Sequence, residues 1–224
     1  MDIKIFYREK GNGFPIILLH GNNENSNYFE FQIEEFSKYY KVFAIDTRGH
    51  GKTPRGDKPF TIEQFAQDLL DFMDEKNIEK AHILGFSDGG NVAIVFSILY
   101  PERVEKLILN GANLYPKGLT NLTQITDKIE YYLTKLFSKD ILKIEMLELM
   151  VNQPNITPDE LSKIKSKTLV IAGTKDLIKK EHTELIANKI PESKLVFIEG
   201  NHFVVYEKPK DFNKEVMNFL KEDF

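Results

Sequence analysis

Short apolar runs recur along the chain, and the stretches between them are helical or irregular in pattern. Each run is almost unbroken in apolar character, which is typical of a strand that is buried on both faces of a sheet. Strands that alternate with helices predict a parallel sheet with right-handed crossovers, and such sheets bind ligands at the carboxyl ends of their strands. The runs are PIILLH, VFAID, AHILGF, KLILN, TLVIAG and KLVFIEG.

The N-terminal pattern predicts how the chain enters this sheet. The segment IKIFYRE alternates apolar and polar residues, as a half-exposed strand does, and turn-forming residues follow at Gly11, Asn12 and Gly13. Because the buried run PIILLH comes next, we expect a hairpin between the first two strands.

Between two of the runs, the stretch TIEQFAQDLLDFMDEKN has the pattern of an amphipathic helix, with its apolar residues on one face. Thr61 precedes the first apolar residue, and Gln64 lies three positions later. This spacing predicts a capping box at the start of the helix.

The composition limits the classes of protein to which the chain can belong. With 224 residues, 42% of them hydrophobic, it can bury one sizeable core, so we expect one domain. A net charge of −4 with intermixed signs argues against nucleic acid or membrane as a partner. The absence of cysteine permits neither a disulfide nor a thiolate metal site, and the first residues lack a signal-peptide pattern. We therefore expect a cytoplasmic protein, whose oligomeric state the sequence leaves open.

The segment 115–166 contains no strand-like run. Two stretches in it, TQITDKIEYYLTKLF and ILKIEMLELMV, are amphipathic at helical spacing, and Thr157 to Glu160 has the pattern of a capped short helix. These helices could simply add to the core, but their content of Ile, Leu, Met and Tyr favours a small lid over the crevice. We predict a core of residues 1–114 and 167–224 and a helical lid at 115–166.

In the stretch ILGFSDGGNVA, a serine lies between glycines where a buried run ends and a helical pattern begins. Gly85, Ser87 and Gly89 form a G-x-S-x-G pattern, which is significant when a strand precedes it and a helix follows. A sharp turn there would strain the serine backbone, and larger flanking side chains would collide with the strand and helix. We interpret Ser87 as a nucleophile; the alternative is a structural turn serine.

A serine nucleophile requires a base, and the chain has five histidines. Only His202 lies in a loop just beyond the last apolar run, where it would overhang the carboxyl ends of the strands. The acid that orients it should follow another strand, as Asp176 does in VIAGTKD. The alternatives are a hydrogen-bonded loop histidine and a turn or helix-cap aspartate. The order serine, aspartate, histidine is associated with this architecture.

Five motifs in this order resemble the α/β-hydrolase superfamily: HGNNENS, DTRGHGKT, GFSDGG, GTKD, and GNH before a final amphipathic helix. The resemblance covers nearly the whole chain. It implies an α/β-hydrolase fold, with a mostly parallel sheet of about eight strands flanked by helices. It also implies a catalytic triad in which Ser87 is the nucleophile, His202 is the general base and then acid, and Asp176 orients the histidine.

The same resemblance implies an oxyanion hole, formed by the backbone N–H groups of Asn22 and Asp88, with Asn23 as the second choice for the first donor. Losing one such donor typically costs about 2.7 to 4 kcal/mol of transition-state stabilisation. In the family, the residues that match the DTRGHGKT motif are structural, so we expect no catalytic role for Asp46, Arg48 or His50.

The implied function is that of a serine hydrolase of small carboxylic esters that needs neither a metal nor an organic cofactor. Thioesters, lactones and activated amides remain open as substrates. Two alternatives are a ligand-binding or signalling protein on the same scaffold and a lyase that uses the same three residues. Because the nucleophile is serine, the aspartyl-ester route of dehalogenases and epoxide hydrolases is excluded.

Asp88, directly after the serine, allows a finer hypothesis. The simpler explanation is that the Asp88 carboxylate is stabilised by the unpaired N–H groups at the start of a helix. However, GFSDGG also resembles the biphenyl-hydrolase-like branch of the family, in which GWSDGG occurs and α-amino-acid esters are substrates. We therefore expect Asp88, with Asn23 nearby, to bind the substrate if it carries an ammonium group near the carbonyl.

Overall fold

The computed structural model describes residues 2–222, which form a central sheet flanked by helices. The strands are β1 (Tyr7–Lys10), β2 (Pro15–Leu19), β3 (Lys41–Ile45), β4 (Ala81–Phe86), β5 (Val104–Asn110), β6 (Lys167–Lys175) and β7 (Ser193–Asn201). The α-helices are α1 (Glu30–Phe36), α2 (Ile62–Glu75), α3 (Asp88–Leu99), α4 (Asn121–Phe137), α5 (Ile141–Asn152), α6 (Lys180–Lys189), α7 (Val204–Glu207) and α8 (Pro209–Lys221). Short 3₁₀ helices lie at Ser26–Phe29, Pro101–Arg103, Pro116–Gly118 and Pro158–Lys163.

The strand order is β1-β3-β2-β4-β5-β6-β7, with every neighbouring pair parallel except β1 and β3. The predicted mostly parallel sheet is confirmed, although the described residues form seven strands rather than about eight. The segment before β1 is held differently: Phe6 N donates to Thr53 Oγ1, and Asp46 N donates to Phe6 O. The predicted first strand is therefore shorter than its alternating pattern, and residues 3–6 form no strand.

The predicted hairpin is wrong, because β1 pairs with β3 and β2 lies between β3 and β4. A strand that is buried along almost its whole length requires neighbours on both sides, whereas β1, with its partly exposed side chains, suits an edge. The connection between β1 and β2 passes close to the segment that leads into β3. Gly11 has φ +85°, and a Cβ atom there would lie 2.3 Å from the carbonyl oxygen of Tyr40.

Alternate side chains of the buried strands point to opposite faces of the sheet. Ile17 and Leu19 pack with helices α2, α3 and α6, whereas Ile16 and Leu18 pack with α1 and α8. The sheet therefore has a hydrophobic core on each face, as expected for strands that read as continuous apolar runs.

The predicted helix starts are confirmed with one correction. Thr61 Oγ1 accepts from Gln64 N at 3.1 Å, but the Gln64 amide donates to Asp68 rather than completing a capping box. At the second start, Thr157 N donates to Glu160 Oε2 at 2.8 Å. None of the helices in residues 2–222 is long and apolar enough to cross a membrane.

Candidate active site

Ser87 lies in the turn between β4 and α3, at the carboxyl end of the sheet. Its backbone has φ 52° and ψ −121°, a strained conformation for a residue with a side chain. The two flanking glycines explain how the turn is built, because a Cβ atom at Gly85 would lie 2.3 Å from Gly89 O and one at Gly89 would lie 2.1 Å from Leu19 O. Only hydrogen fits at either position, so the glycines allow strand, turn and helix to pack closely.

The structure brings Ser87, His202 and Asp176 together in one hydrogen-bonded chain. His202 Nε2 lies 3.0 Å from Ser87 Oγ, and His202 Nδ1 lies 2.6 Å from Asp176 Oδ1. A carboxylate can only accept, so Nδ1 carries the proton and Nε2 is left to accept from the serine hydroxyl. This arrangement is the one that activates a serine.

Asp176 lies in the loop after β6, where two backbone N–H groups also hold its carboxylate: Ile178 N at 3.0 Å and Gly173 N at 3.2 Å. Burial alone raises the pKa of this carboxyl. The hydrogen bond and charge of His202, with these two N–H groups, outweigh burial, so the net pKa of Asp176 lies below its ordinary value. The acid therefore remains ionised beside the histidine at neutral pH.

The imidazole of His202 is packed on several sides. The Phe86 and Phe203 rings lie 4.9 Å and 5.4 Å from it, centroid to centroid. Gly111, after β5, has φ +63°, and a Cβ atom there would lie 2.6 Å from His202 Cε1. Sequence reasoning missed Gly111, whose only signal was a glycine after a strand end.

The other histidines hold loops in place. His20 Nε2 accepts from Thr47 N at 3.0 Å, so its Nδ1 donates to Gly21 O at 2.7 Å. Burial lowers the pKa of His20 to about 4, which keeps the ring neutral. His182 Nε2 accepts from Leu114 N at 3.0 Å and so fixes the chain that leaves β5. His82 is buried at the start of β4.

The loop of the DTRGHGKT motif ties neighbouring segments together. Asp46 accepts from Ser26 N at 2.7 Å and from Lys52 N at 2.8 Å. The fully buried Arg48 pairs with Asp2 and Asp68, both at 2.7 Å. The His50 ring lies 5.1 Å from that of His20, centroid to centroid. These contacts fit the structural role that the resemblance implies.

Asn22 follows β2 in the loop that His20 holds. Its side-chain amide donates to Asp88 Oδ2 at 2.9 Å and to Met146 O at 3.1 Å, so it links the loop to α3 and α5. Asp88 is the first residue of α3, and its N–H therefore has no partner within the helix. Asp88 directly follows Ser87 in the sequence, and Asn22 lines the same cavity as Ser87.

The Asp88 carboxylate lies among amide groups. Besides Asn22, the amide of Asn91 donates to it at 3.1 Å, and the same amide donates to Asn113 Oδ1 at 3.1 Å. Burial raises the pKa of Asp88, and the two amides offset this only in part, so the net pKa is above its ordinary value. Asn91 was missed because its partners lie on other elements.

Glu24 is a second acid that sequence reasoning missed. Its Oε2 accepts from Gly21 N at 3.1 Å, and it lies in the wall of the same cavity as Ser87. Burial raises the pKa of Glu24 to about 7, and the nearby charge of Asp88 adds to this effect. The available signal for Glu24 was its position in the HGNNENS motif, which was expected to contribute to the oxyanion hole.

A cavity of about 600 Å³ opens on Ser87 and His202. Its apolar wall comes from α5, through Leu142, Met146, Leu147 and Met150. Its charged wall is mainly acidic, since Glu24, Glu130 and Asp140 face it against one cation, Lys143; Asn23 also lines it. In residues 2–222, no group of three or more His, Asp or Glu side chains could hold a metal ion.

Comparison with known proteins places these features in context. A family model described as the alpha/beta hydrolase fold matches residues 15–129. The chain is 26% identical to serine hydrolase BPHL of Homo sapiens over 98% of this chain and 84% of that protein. It is 30% identical to the 2-hydroxy-6-oxononadienedioate/2-hydroxy-6-oxononatrienedioate hydrolase of Comamonas testosteroni, over 98% of this chain and 92% of that one. An esterase from Exiguobacterium antarcticum shares the fold with a TM-score of 0.85 at 22% identity, covering 98% of this chain and 96% of that one.

Proposed function

The chain belongs to the α/β-hydrolase fold family, and we propose that it is a serine hydrolase that cleaves small carboxylic esters through an acyl-enzyme intermediate. The observation that carries this proposal is the hydrogen-bonded chain from Ser87 through His202 to Asp176, which opens on a cavity of about 600 Å³. The serine hydrolase among the relatives supports the same reaction type.

In the proposed mechanism, His202 Nε2 takes the hydroxyl proton as Ser87 Oγ attacks the ester carbonyl carbon. The carbonyl oxygen becomes an oxyanion, held by the N–H groups of Asn22 and Asp88. The bond to the alcohol oxygen then breaks, and His202 returns the proton to that oxygen. A water molecule, deprotonated by the same histidine, then attacks the acyl carbon; the bond from that carbon to Ser87 Oγ breaks, His202 returns the proton to Oγ, and the acid is released. Asp176 stabilises the imidazolium at each stage.

The acidic wall of the cavity narrows the substrate class. The relative from Comamonas testosteroni is named for a dioate, which carries two negative charges. In this chain Lys143 pairs with Glu130 at 3.8 Å, which leaves net negative charge in the cavity wall from Asp140 and, above about pH 7, from Glu24, so a dianion would be repelled. We infer that the substrate is a neutral or cationic ester.

A finer proposal is that the substrate is an amino-acid ester whose ammonium group is bound by Asp88. Asp88 itself is not among the residues that line the cavity, but its carboxylate is bonded to Asn22, which lines the cavity together with Asn23. The two amides that donate to Asp88 leave lone pairs on its carboxylate for another donor. The test compares kcat/KM for an amino-acid ester and its des-amino analogue in wild type and Asp88→Asn. The variant should lose the preference for the amino ester. If the ratio of the two kcat/KM values is the same in both proteins, Asp88 does not bind the ammonium group and serves only at the start of α3.

We also propose that residues 115–166 form a lid on a core of residues 1–114 and 167–224. Support comes from α5, whose apolar side chains line the cavity and whose Met146 carbonyl binds Asn22. Met146→Ala should enlarge the site and shift kcat/KM towards esters of longer chain length, whereas Val151→Ala, at the far end of α5, serves as control. If Met146→Ala leaves the dependence of kcat/KM on chain length unchanged, α5 packs against the core without shaping the substrate site.

Labelling with a fluorophosphonate tests the reaction type, because the reagent reports an activated serine rather than an exposed one. We expect one equivalent of label at Ser87, none in Ser87→Ala and strongly slowed labelling in His202→Ala. Ser162→Ala, at an exposed serine, should label as the wild type does. Wild-type protein that is folded but unlabelled would favour the ligand-binding alternative.

A further inference from the structure

Helix α4 presents its apolar face to solvent. Leu122, Ile125, Ile129, Tyr132, Leu133, Leu136 and Phe137 share one side of the helix and are between 53% and 77% exposed. Ile141, at the start of α5, extends this surface and is 72% exposed. We call these eight side chains the outer face of α4. The arrangement is the reverse of a normal surface helix, whose apolar stripe faces the core.

Contacts of the opposite side fix this orientation. Tyr131 is buried there; its hydroxyl donates to Glu148 of α5 at 2.8 Å and accepts from Lys135 at 2.6 Å. Gln124 Nε2 donates to Leu119 O at 2.8 Å, close to the N-terminus of the helix. A rotation that buried the outer face would break these hydrogen bonds and expose Tyr131.

The size of the outer face indicates an interface between proteins. Its side chains present on the order of 1,000 Å² of apolar surface, whereas the largest apolar patch on a typical monomer covers about 300 to 600 Å². A stable interface of standard size buries about 800 Å² on each partner. We propose that two copies of this chain associate through the outer face of α4, each copy covering the same surface on the other.

The charges at the two edges of the face favour a second copy over a lipid surface. Lys128 lies along one edge and Glu130 lies along the other, as the helical period requires, and Glu130 also pairs with Lys143 of its own chain at 3.8 Å. In a pair of parallel α4 helices, the basic edge of each copy would lie beside the acidic edge of the other. A helix that lies on a membrane instead carries Lys and Arg across its polar face, whereas this chain has a net charge of −4.

Two matched substitutions test the dimer. Leu133→Lys places a charge on the outer face, and Leu99→Lys places the same charge at the end of α3; the two leucines are 53% and 52% exposed. Sedimentation equilibrium should give twice the chain mass of 26.0 kDa for the wild type and for Leu99→Lys. In Leu133→Lys the dimer dissociation constant should rise at least about tenfold. Circular dichroism should show the same fold in all three proteins.

Three outcomes would overturn the proposal. The first is a wild-type monomer at concentrations up to about 100 μM, because an interface of this size should hold there. The second is a dimer that Leu133→Lys and Leu136→Lys both leave unchanged. The third is binding of the monomer to phosphatidylserine vesicles that Leu133→Lys abolishes, which would assign the outer face to a lipid surface. None of these measurements depends on hydrolase activity.

Discussion

The turn around Ser87 and the helical pair α4–α5 meet at the same cavity, but they are built in opposite ways. At the turn, backbone atoms approach so closely that Gly85 and Gly89 accept no larger residue. In α4, seven large apolar side chains lie mostly in solvent. The difference separates two tasks: the sheet edge fixes the positions of the reacting groups, whereas α4 and α5 supply part of the cavity wall and an exposed apolar surface.

Polar links tie α5, and the residue Gln153 that follows it, to α2 and to neighbouring loops. Arg55 forms a bidentate, half-buried pair with Glu145, at 2.7 Å and 2.6 Å. Asn22 donates to Met146 O at 3.1 Å, and Ile62 N donates to Gln153 Oε1 at 3.0 Å. We therefore expect substitutions at the turn to have large effects on the whole molecule, and those in α4–α5 to have small local ones.

The largest effect should come from Asp176→Asn. An asparagine keeps the shape of the side chain but removes the charge that stabilises the His202 imidazolium, so kcat should fall about 10⁴-fold. Asp159→Asn is the control, because that carboxylate is 91% exposed. Steady-state kinetics on a small ester measure the change. Wild-type turnover in Asp176→Asn would assign the orienting role to another group.

Gly89→Ala should lower the free energy of unfolding by about 3 kcal/mol or more, because the new Cβ would lie 2.1 Å from a backbone oxygen of β2, which cannot move aside. Gly21→Ala is the control, since its nearest new contacts are side-chain atoms of Glu24 and Phe86 at 3.1 Å. Denaturant unfolding compares the two variants. Equal losses would show that the close approach at Gly89 is not what limits the turn.

Glu24→Gln should stabilise the protein at high pH only. The pKa of Glu24 is raised to about 7 in the folded state, so between pH 4.5 and pH 7 the folded chain keeps a proton that the unfolded chain has released. Wild-type stability therefore falls as pH rises through this window and stays lower above it. Glutamine, which still accepts from Gly21 N, removes the dependence.

The expected advantage of Glu24→Gln is on the order of 2 kcal/mol at pH 8, after allowance for partial exposure, and close to zero near pH 4.5. Unfolding by urea at both pH values measures it, and Glu102→Gln, at an exposed position, reports the general effect of losing one charge. An advantage that is the same at both pH values would contradict the raised pKa.

The smallest effect should come from Asp140→Ala, which removes the N-cap of α5. The Asp140 side chain accepts from Lys143 N at 3.0 Å, and losing such a cap costs about 1 kcal/mol. Amide hydrogen exchange should accelerate about fivefold in α5 and remain unchanged in β4. Asp140→Asn retains the cap and should match the wild type. Faster exchange in β4 would show that α5 and the central sheet unfold together.

Local patterns account for what the sequence predicted well. Continuous apolar runs identify buried strands, and the glycines around Ser87 mark a tight turn between a strand and a helix, because both signals lie within a few residues. The juxtaposition of Ser87, His202 and Asp176 followed from one topological rule, that parallel strands end at the same edge. The roles of these three residues in catalysis stay predictions until activity is measured.

Long-range pairing explains what the sequence did not predict. The predicted hairpin between β1 and β2 is wrong because β2 is buried and pairs with a strand on each side, whereas the partly exposed β1 lies at the sheet edge beside β3. The bond from Asn22 to Asp88 joins residues 66 positions apart, and nothing in either motif indicates it. The helical period of α4 predicted an apolar face correctly, but a period cannot tell which way that face points.

The separation of Ser87 and His202 along the chain has a consequence for biosynthesis. They are 115 positions apart, and the histidine follows β7, the last strand of the sheet. At about 5 to 20 residues per second, the ribosome releases the serine on the order of ten seconds before its base. Under the proposed mechanism the nascent chain is inert during that interval, so covalent labelling of Ser87 can time the docking of the final strand.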